Sequence, residues 1–102
     1  FPLAESRIEA ECARLMNYKA AALHDMGKPY GSEANMAKYL AGHAAGHATD
    51  RAMQTMGGMG YSKEYHVERL WRDARLFRIA PISEEMVLNF VAQHDLGMPR
   101  SY

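Results

Sequence analysis

The fold is decided by residues 53–78, which read M-Q-T-M-G-G-M-G-Y-S-K-E-Y-H-V-E-R-L-W-R-D-A-R-L-F-R. The stretch begins as the end of a helix, is interrupted by glycines, crosses a polar and aromatic turn and then returns to a helix. Three glycines within four positions, Gly57, Gly58 and Gly60, permit positive φ and a close approach of the backbone to another group. On the residues alone, an ordinary glycine-capped helix end is the simpler interpretation, and a phosphate-binding turn is the alternative.

Two long helices are predicted before this turn. The first covers residues 3–26, and its apolar positions follow a stripe of 3.6-residue period made of Ile8, Cys12, Leu15, Met16, Leu23 and Met26. Cys12 is therefore predicted to pack, and Glu9 is expected to face away from the packed side. The second helix runs from an N-cap at Ser32 to about Met56. Its middle is rich in alanine and glycine, which predicts close packing within a bundle or across a subunit interface.

Two shorter helices are predicted after the turn. Residues 67–78 form the first, with an inward stripe of Leu70, Trp71, Ala74 and Phe77. Pro81 interrupts it, and Ser83 then caps a last helix over residues 84–94, whose first turn carries Glu84 and Glu85. Four helical segments without a strand pattern predict an all-α fold in a single domain.

Composition excludes several classes of function. The 102 residues have a formal charge of zero, with basic and acidic residues interspersed, so no nucleic-acid or anionic-membrane surface is expected. Hydrophobic residues make up 48% of the chain, which is enough for a core, but no run is long enough to predict a membrane span. Cys12 is the single cysteine and excludes an internal disulfide. Because the chain opens at Phe1 without methionine, we expect a fragment, a processed product or the ordered part of a longer protein.

A metal site is one alternative that the histidines raise. His43 and His47 are spaced so that both rings share one helix face. No Glu follows His43 in the H-E-x-x-H manner, and a third ligand is not evident. We therefore expect packing or interface histidines and no bound metal, and an independent metal-binding helical protein stays a hypothesis.

An ordered series of residues around the glycine turn resembles the C-terminal helical domain of the acyl-CoA dehydrogenases. The series consists of Gln54, Gly57, Gly58, Gly60 and Tyr61, then Glu64 and Tyr65, then Val67, Glu68, Arg69 and Leu70, and finally Arg72, Asp73, Ala74 and Arg75. The resemblance implies a partial up-down four-helix bundle. Residues 1–102 would be most of that domain, without its first helix and without the two domains that precede it.

The resemblance also implies a function. Members of the family oxidise an acyl-CoA thioester to the trans-2-enoyl-CoA with FAD and pass electrons to an electron-transfer flavoprotein, as in fatty acid β-oxidation. They are homo- or hetero-oligomers in which FAD contacts cross the subunit interface, and dimer, tetramer and hetero-oligomer all stay open here. The implied location is the cytoplasm in a bacterium or the mitochondrial matrix in a eukaryote.

Two groups of residues correspond to the family's FAD contacts. The first group, expected near the pyrophosphate and adenosine of a neighbouring subunit's FAD, is Gln54, Thr55, Met56, Gly57 and Gly58. The second group lies at the start of the last helix and is Ser83, Glu84 and Glu85. The resemblance also implies that Arg72 and Asp73 have a structural role.

The chain departs from the family at the catalytic base, where the matching position falls on Pro81. Proline takes no proton and lacks a backbone N–H that could polarise the thioester. The base could lie on the bundle's first helix, as in some branches of the family, or a local shift could bring Glu84 or Glu85 into use. The third alternative is a flavin-binding, non-catalytic subunit or assembly module of the same fold. We therefore assign no catalytic residue from the sequence.

Overall fold

Five helices make up the computed structural model, which describes residues 1–101. They are α1 (Pro2–Asp25), α2 (Gly31–Met56), α3 (Gly58–Tyr61), α4 (Val67–Leu76) and α5 (Glu84–His94). No strand occurs in this range, so the predicted all-α fold is confirmed, and the four predicted helices end within two residues of the observed ones. The short helix α3 was not predicted from the sequence. Across the same range, no helix combines the length and the apolar character needed to cross a membrane.

Helix α2 is the element on which the others pack. Helix α1 runs antiparallel to it, because Glu9 pairs with Arg51 near one end and Lys19 pairs with Glu33 near the other. Helix α5 lies along the first half of α2, and α4 lies along the second half. The result is the predicted up-down arrangement of antiparallel helices, with α4 and α5 following one another along the same partner.

The α1–α2 contact is made of small side chains. The buried residues there are Ala13, Ala20, Ala37 and Ala44, each with 6–8% of its surface exposed. Because alanine side chains are small, they allow the backbones of α1 and α2 to lie close together. The face of α1 that carries alanines is therefore the one that packs against α2. Ile8 and Leu15 consequently point outward, with 64% and 66% of their surfaces exposed, and Cys12 is also exposed. The predicted packing is therefore wrong for Ile8, Cys12, Leu15 and Met26, whereas Met16 and Leu23 of the same stripe are half-buried.

The expectation that Glu9 faces away from the packed side is also wrong. Arg51 donates from Nη1 to Glu9 Oε2 at 2.8 Å and from Nη2 to Glu9 Oε1 at 3.1 Å. His47 Nδ1 lies 3.1 Å from the same Oε1. The Arg51 hydrogen bond, followed by the bond to His47, lowers the pKa of Glu9. A carboxylate on the packed face thus joins α1 to α2, because a longer cationic side chain on α2 reaches it.

The two predicted N-caps have different outcomes. Ser83 caps α5, since its Oγ accepts from the N–H of Met86 at 3.4 Å. Ser32 does not cap α2, because the helix begins one residue earlier and Tyr30 occupies the N-cap position. The Ser32 hydroxyl instead donates to Asp95 Oδ1, just beyond α5. This bond ties the start of α2 to the end of α5.

Helix α4 buries less than its apolar stripe predicts. Ala74 is 6% exposed, whereas Leu70 and Phe77 are 46% and 56% exposed. The indole N–H of Trp71 donates to Asp50 of α2 at 3.2 Å, with 37% of Trp71 exposed. A short helix that meets the small-residue face of α2 makes its closest contact through a small residue, so the larger side chains lie beside the contact.

The charges on α4 form ion pairs within the helix. Arg72 Nε bonds Glu68 at 2.9 Å, and Arg69 Nη1 lies 3.4 Å from Asp73. Arg72 and Asp73 therefore each pair with a residue four positions earlier and do not bond each other. Their contribution inside this chain is to the helix itself.

Candidate functional site

The glycine turn begins where α2 ends. Gly57 has φ 60° and ψ −138°, a backbone conformation that side-chain-bearing residues avoid. Its N–H donates to the carbonyl oxygens of Met53 at 3.0 Å and Gln54 at 3.3 Å. That amide therefore terminates α2 and has its acceptors inside the chain.

The other two glycines of the turn differ in what surrounds them. A Cβ at Gly60 would lie 2.9 Å from the carbonyl oxygen of Met53, so α3 can fold back on α2 only with glycine at this position. A Cβ at Gly58 would meet nothing within 4 Å, and Gly58 has no positive φ. The chain's own fold thus requires Gly57 and Gly60 and leaves space open at Gly58.

All five residues of the first predicted group, Gln54, Thr55, Met56, Gly57 and Gly58, are exposed. The hydroxyl of Thr55 donates to the carbonyl of Arg51 at 2.7 Å, so its proton is used within α2. On the α4 side of the turn lies a cleft of about 640 Å³. Its lining combines an apolar residue, two aromatic rings and three charged side chains, namely Met53, Tyr61, Trp71, Lys63, Glu68 and Arg72.

The second predicted group lies where α5 begins, and its members have different environments. The Oγ of Ser83 accepts the capping bond described above, and Glu85 is exposed. Glu84 is engaged on both oxygens: Arg78 donates from Nε to Oε2 at 2.8 Å and from Nη2 to Oε1 at 2.9 Å, and His43 Nε2 lies 2.9 Å from Oε2. The Arg78 hydrogen bonds, aided by His43, lower the pKa of Glu84 to about 2.

Arg78 reaches Glu84 across the smallest part of α2. A Cβ at Gly42 would lie 3.4 Å from the carbonyl oxygen of Phe77 and 3.6 Å from Arg78 Cγ, and a Cβ at Gly46 would lie 4.0 Å from Arg78 Cδ. Gly42 is buried. The predicted close packing over the alanine- and glycine-rich middle of α2 is therefore confirmed, and the end of α4 is one of the groups that uses it.

Pro81 lies in the segment that Arg78 and Glu84 enclose. It is exposed, follows a cis peptide bond from Ala80, and offers neither an N–H nor a proton acceptor in its side chain. The ammonium group of Lys38 donates to the carbonyl of the next residue, Ile82. The segment is thus attached to α2, but the position that corresponds to the family's base carries no base.

The structure does not bring the two predicted groups together. Glu84 lies beside His43, and Gln54 is 11 residues further along α2. At 1.5 Å per helical residue, this places the groups roughly 17 Å apart along the helix axis. They are two separate stretches, and neither supplies the other with a side chain.

His43 and His47 share one face of α2, as predicted, with ring centroids 5.8 Å apart. Their bonds lead to different helices, since His43 contacts Glu84 and His47 contacts Glu9. Within residues 1–101, no three His, Cys, Asp or Glu side chains are grouped so that they could hold a metal ion.

Arg78 and His43 are the site residues that the sequence reading missed. A signal for Arg78 was present, because opposite charges at positions 78 and 84 flank the break at Pro81. No local signal pointed from His43 to Glu84, which are 41 positions apart.

Comparison with known proteins identifies the class to which this fold and turn belong. The family described as "Acyl-CoA dehydrogenase, C-terminal domain" matches residues 1–96. Acyl-CoA dehydrogenase FadE12 of Mycobacterium tuberculosis (strain ATCC 25618 / H37Rv) is 58% identical over 99% of this chain, which spans 26% of that relative.

Two solved structures share the fold. Butyryl-CoA dehydrogenase from Megasphaera elsdenii superposes with a TM-score of 0.88 at 39% identity, over 96% of this chain and 25% of that one. A structure described as the electron transferring flavoprotein of Acidaminococcus fermentans gives a TM-score of 0.89 at 34% identity, over 94% of this chain and 25% of that one. The fold is that of acyl-CoA dehydrogenase C-terminal domains. The chain belongs to the acyl-CoA dehydrogenase family and spans about a quarter of the length of the relatives it matches.

Proposed function

We propose that this chain is the FAD-binding and oligomerisation domain of an acyl-CoA dehydrogenase that oxidises an acyl-CoA thioester to the trans-2-enoyl-CoA. The observation that carries the proposal is the exposed turn after α2, in a chain of this family. There the fold requires Gly57 and Gly60 but gives no internal reason for Gly58. Close approach of a group from outside this chain would account for a glycine at that position, and FAD is the group we propose.

The residues around the turn fit a flavin dinucleotide. Space is open at Gly58, and the neighbouring cleft presents the rings of Tyr61 and Trp71 for contact with a flat group and Lys63 for contact with an anion. When bound, FAD would supply the acceptor for the hydride that leaves the β-carbon of the substrate. The role of this chain's residues is to bind and orient the cofactor, and Pro81 cannot be the proton acceptor.

The separation of the two groups is compatible with the oligomer we propose. Residues 54–58 and residues 83–85 lie roughly 17 Å apart along α2, too far to surround one phosphate group together. Contact of the first group with FAD held largely by a neighbouring subunit, and of the second group with another part of a flavin site, agrees with this spacing. The other partners we propose are an acyl-CoA and an electron-transfer flavoprotein, in the bacterial cytoplasm or the mitochondrial matrix.

The test is an anaerobic absorbance titration of the full-length enzyme with acyl-CoAs of increasing chain length. Bleaching of the oxidised flavin band, with enoyl-CoA formed, is the expected result. In parallel, Gly58→Ala is expected to weaken FAD binding about tenfold, equivalent to the loss of roughly one hydrogen-bonded contact, without lowering the unfolding temperature of the apoprotein. Asn17→Ala, on the exposed side of α1, is the matched control and is expected to change neither quantity.

A second candidate function is a flavin-binding subunit without dehydrogenation chemistry. The observation that favours it is Pro81 at the position of the family's base. A yellow protein that no acyl-CoA bleaches would support this candidate, whereas a colourless protein would overturn FAD binding and both candidates with it.

A further inference from the structure

A cluster of three polar side chains joins the two ends of the segment between α4 and α5. Arg78 lies at the start of the segment and bonds Glu84 at its end, and His43 of α2 also bonds Glu84. We infer that Arg78, Glu84 and His43 form a clamp that positions residues 79–85 in the flavin site, so that Glu84 is a positioning residue and not the proton acceptor. This inference rests on the proposed function, because residues 83–85 are the second group of proposed flavin contacts.

The segment is held by hydrogen bonds from both side chains and the backbone. Besides the two side-chain bonds between Arg78 and Glu84, the backbone N–H of Glu84 donates to the carbonyl oxygen of Arg78 at 3.1 Å. Lys38 holds the carbonyl of Ile82 from α2. A paired arginine–carboxylate fork constrains orientation as well as distance. The five residues between the two ends are therefore held in one arrangement relative to α2.

Arg78 packs against the face of α2 that carries small residues. The stem of Arg78 passes over Gly42 and Gly46, where any larger side chain would meet it. The ring of His43 lies against the ring of Tyr39, with 4.3 Å between centroids and an angle of 35° between the ring planes, and this contact limits its rotation. The side chains of Arg78, Glu84 and His43 are only 30%, 19% and 23% exposed. The cluster is therefore partly buried, which distinguishes it from a fully solvated ion pair.

The same geometry makes Glu84 a poor candidate for the base. Both carboxylate oxygens already accept hydrogen bonds from cations or an imidazole, so proton uptake from a substrate would require the clamp to open. Its low pKa agrees with this, because an effective general base has a pKa near the working pH. Glu85, one residue further, is exposed and is the member of the pair that remains available to a ligand.

The test compares Glu84→Gln, Arg78→Gln, the double variant and the milder His43→Gln in the full-length holoenzyme. Three quantities are measured: the visible spectrum of the bound flavin, the rate of flavin reduction by acyl-CoA, and exchange of the substrate α-hydrogen in D2O. Arg7→Gln, which breaks the pair with Glu11 within α1, is the matched control. It is expected to leave all three quantities as in the wild type.

The expected result is a common pattern in the clamp variants. Glu84→Gln and Arg78→Gln each shift the flavin spectrum and slow reduction by about ten- to a hundredfold, as misplacement of a contact by an ångström or so does. The double variant is no slower than the worse single variant, because both changes open one clamp. His43→Gln shows the same spectral shift to a smaller extent, and α-hydrogen exchange continues in all four.

Three results would overturn the inference. Loss of α-hydrogen exchange in Glu84→Gln alone, by the 10²–10⁴-fold or so that removing a general base costs, would make Glu84 the base. Lowered unfolding temperatures with wild-type spectra and rates in His43→Gln and Glu84→Gln would reduce the clamp to a purely structural contact. A wild-type enzyme without flavin would refute the proposed function itself, and the positioning role with it; this failure is recognisable because it appears before any substitution is made.

Discussion

Arg78 and Glu84 bind each other through two parallel hydrogen bonds, from Nε to Oε2 at 2.8 Å and from Nη2 to Oε1 at 2.9 Å. They stand at opposite ends of the segment that contains Pro81. A bidentate pair of this kind fixes both the separation and the relative orientation of its ends. The conformation of the segment therefore depends on a charge interaction between two residues that the family resemblance had not singled out together.

The first prediction concerns acid stability. The pKa of Glu84 is lowered from its ordinary value of 4.5 to about 2, with Arg78 as the main cause, so the folded state binds its proton less readily than the unfolded state does. The stabilisation is present above pH 4.5 and is lost as the pH falls from there towards about 2. Urea unfolding at intervals across this range should show a stability that declines less steeply in Glu84→Gln than in the wild type. The other charged and titratable groups around the pair, Lys38, Tyr39, His43 and Glu85, are unchanged in the comparison. The prediction would be contradicted if the free energy of unfolding declined equally steeply with falling pH in the two proteins.

The glycine turn allows a matched pair of substitutions. Gly60→Ala places a Cβ 2.9 Å from the carbonyl oxygen of Met53, and the resulting overpacking should lower the free energy of unfolding by about 1–3 kcal/mol. In Gly58→Ala the new methyl group meets open space. The free energy of unfolding should therefore be unchanged or rise by up to about 1 kcal/mol, since alanine has less freedom than glycine in the unfolded chain. Denaturant unfolding of the two apoproteins measures both effects. A destabilised Gly58→Ala apoprotein would mean that the chain's own fold does require a glycine there.

Packing of α5 depends on Val87, which is 1% exposed, whereas the adjacent Leu88 is 50% exposed. Val87→Ala should lower the free energy of unfolding by about 2 kcal/mol, because two buried methyl groups are replaced by a cavity. Leu88→Ala removes more carbon atoms but should cost well under half as much. Thermal or urea unfolding of both variants tests this order, and a larger cost for Leu88→Ala would show that its surface is covered by another part of the protein.

The contact between α1 and α2 is expected to be sensitive to charge at position 9. Glu9→Gln removes the carboxylate that bonds Arg51 and His47 on α2, and should cost at most about 1 kcal/mol, as a partly solvated pair does. Glu11→Gln is the control, because Glu11 pairs with Arg7 and Arg14 of its own helix. The free energies of unfolding of the two variants, measured in low and high salt, should differ at low salt and become more similar as salt is added. No difference at low salt would contradict a bridging role for Glu9.

Much of the local structure could be predicted from the residues. The positions of α1, α2, α4 and α5, the break at Gly57 and the cap at Ser83 follow from periodicity, glycine conformation and side-chain capping, which act over a few neighbouring residues. The family itself was recognisable from the series around residues 54–75. The expected FAD contacts lie on exposed surfaces, but their role in binding stays a proposal.

The errors share one physical origin. Helix α1 has two faces that could pack, and periodicity favours the one with larger side chains, Ile8 and Leu15. The alanines of α2 select the other face, because two helices with small facing residues can approach closely and gain contacts along their whole length. The stripe on α4 was misjudged for the same reason, since Ala74 is buried whereas Phe77 is 56% exposed.

The four longer helices, the break at Gly57 and the family could be predicted without the structure, since these depend on short-range conformational preferences and on an ordered set of residues; the short helix α3 could not. Only the tertiary structure decided that Glu84 is held by Arg78 and His43, that Glu9 faces α2, and that Gly60 is required by contact within the chain while Gly58 is not. The first two relationships depend on distances between side chains up to 42 positions apart, and the third depends on how closely α3 approaches the backbone of α2; all are set by how the helices pack.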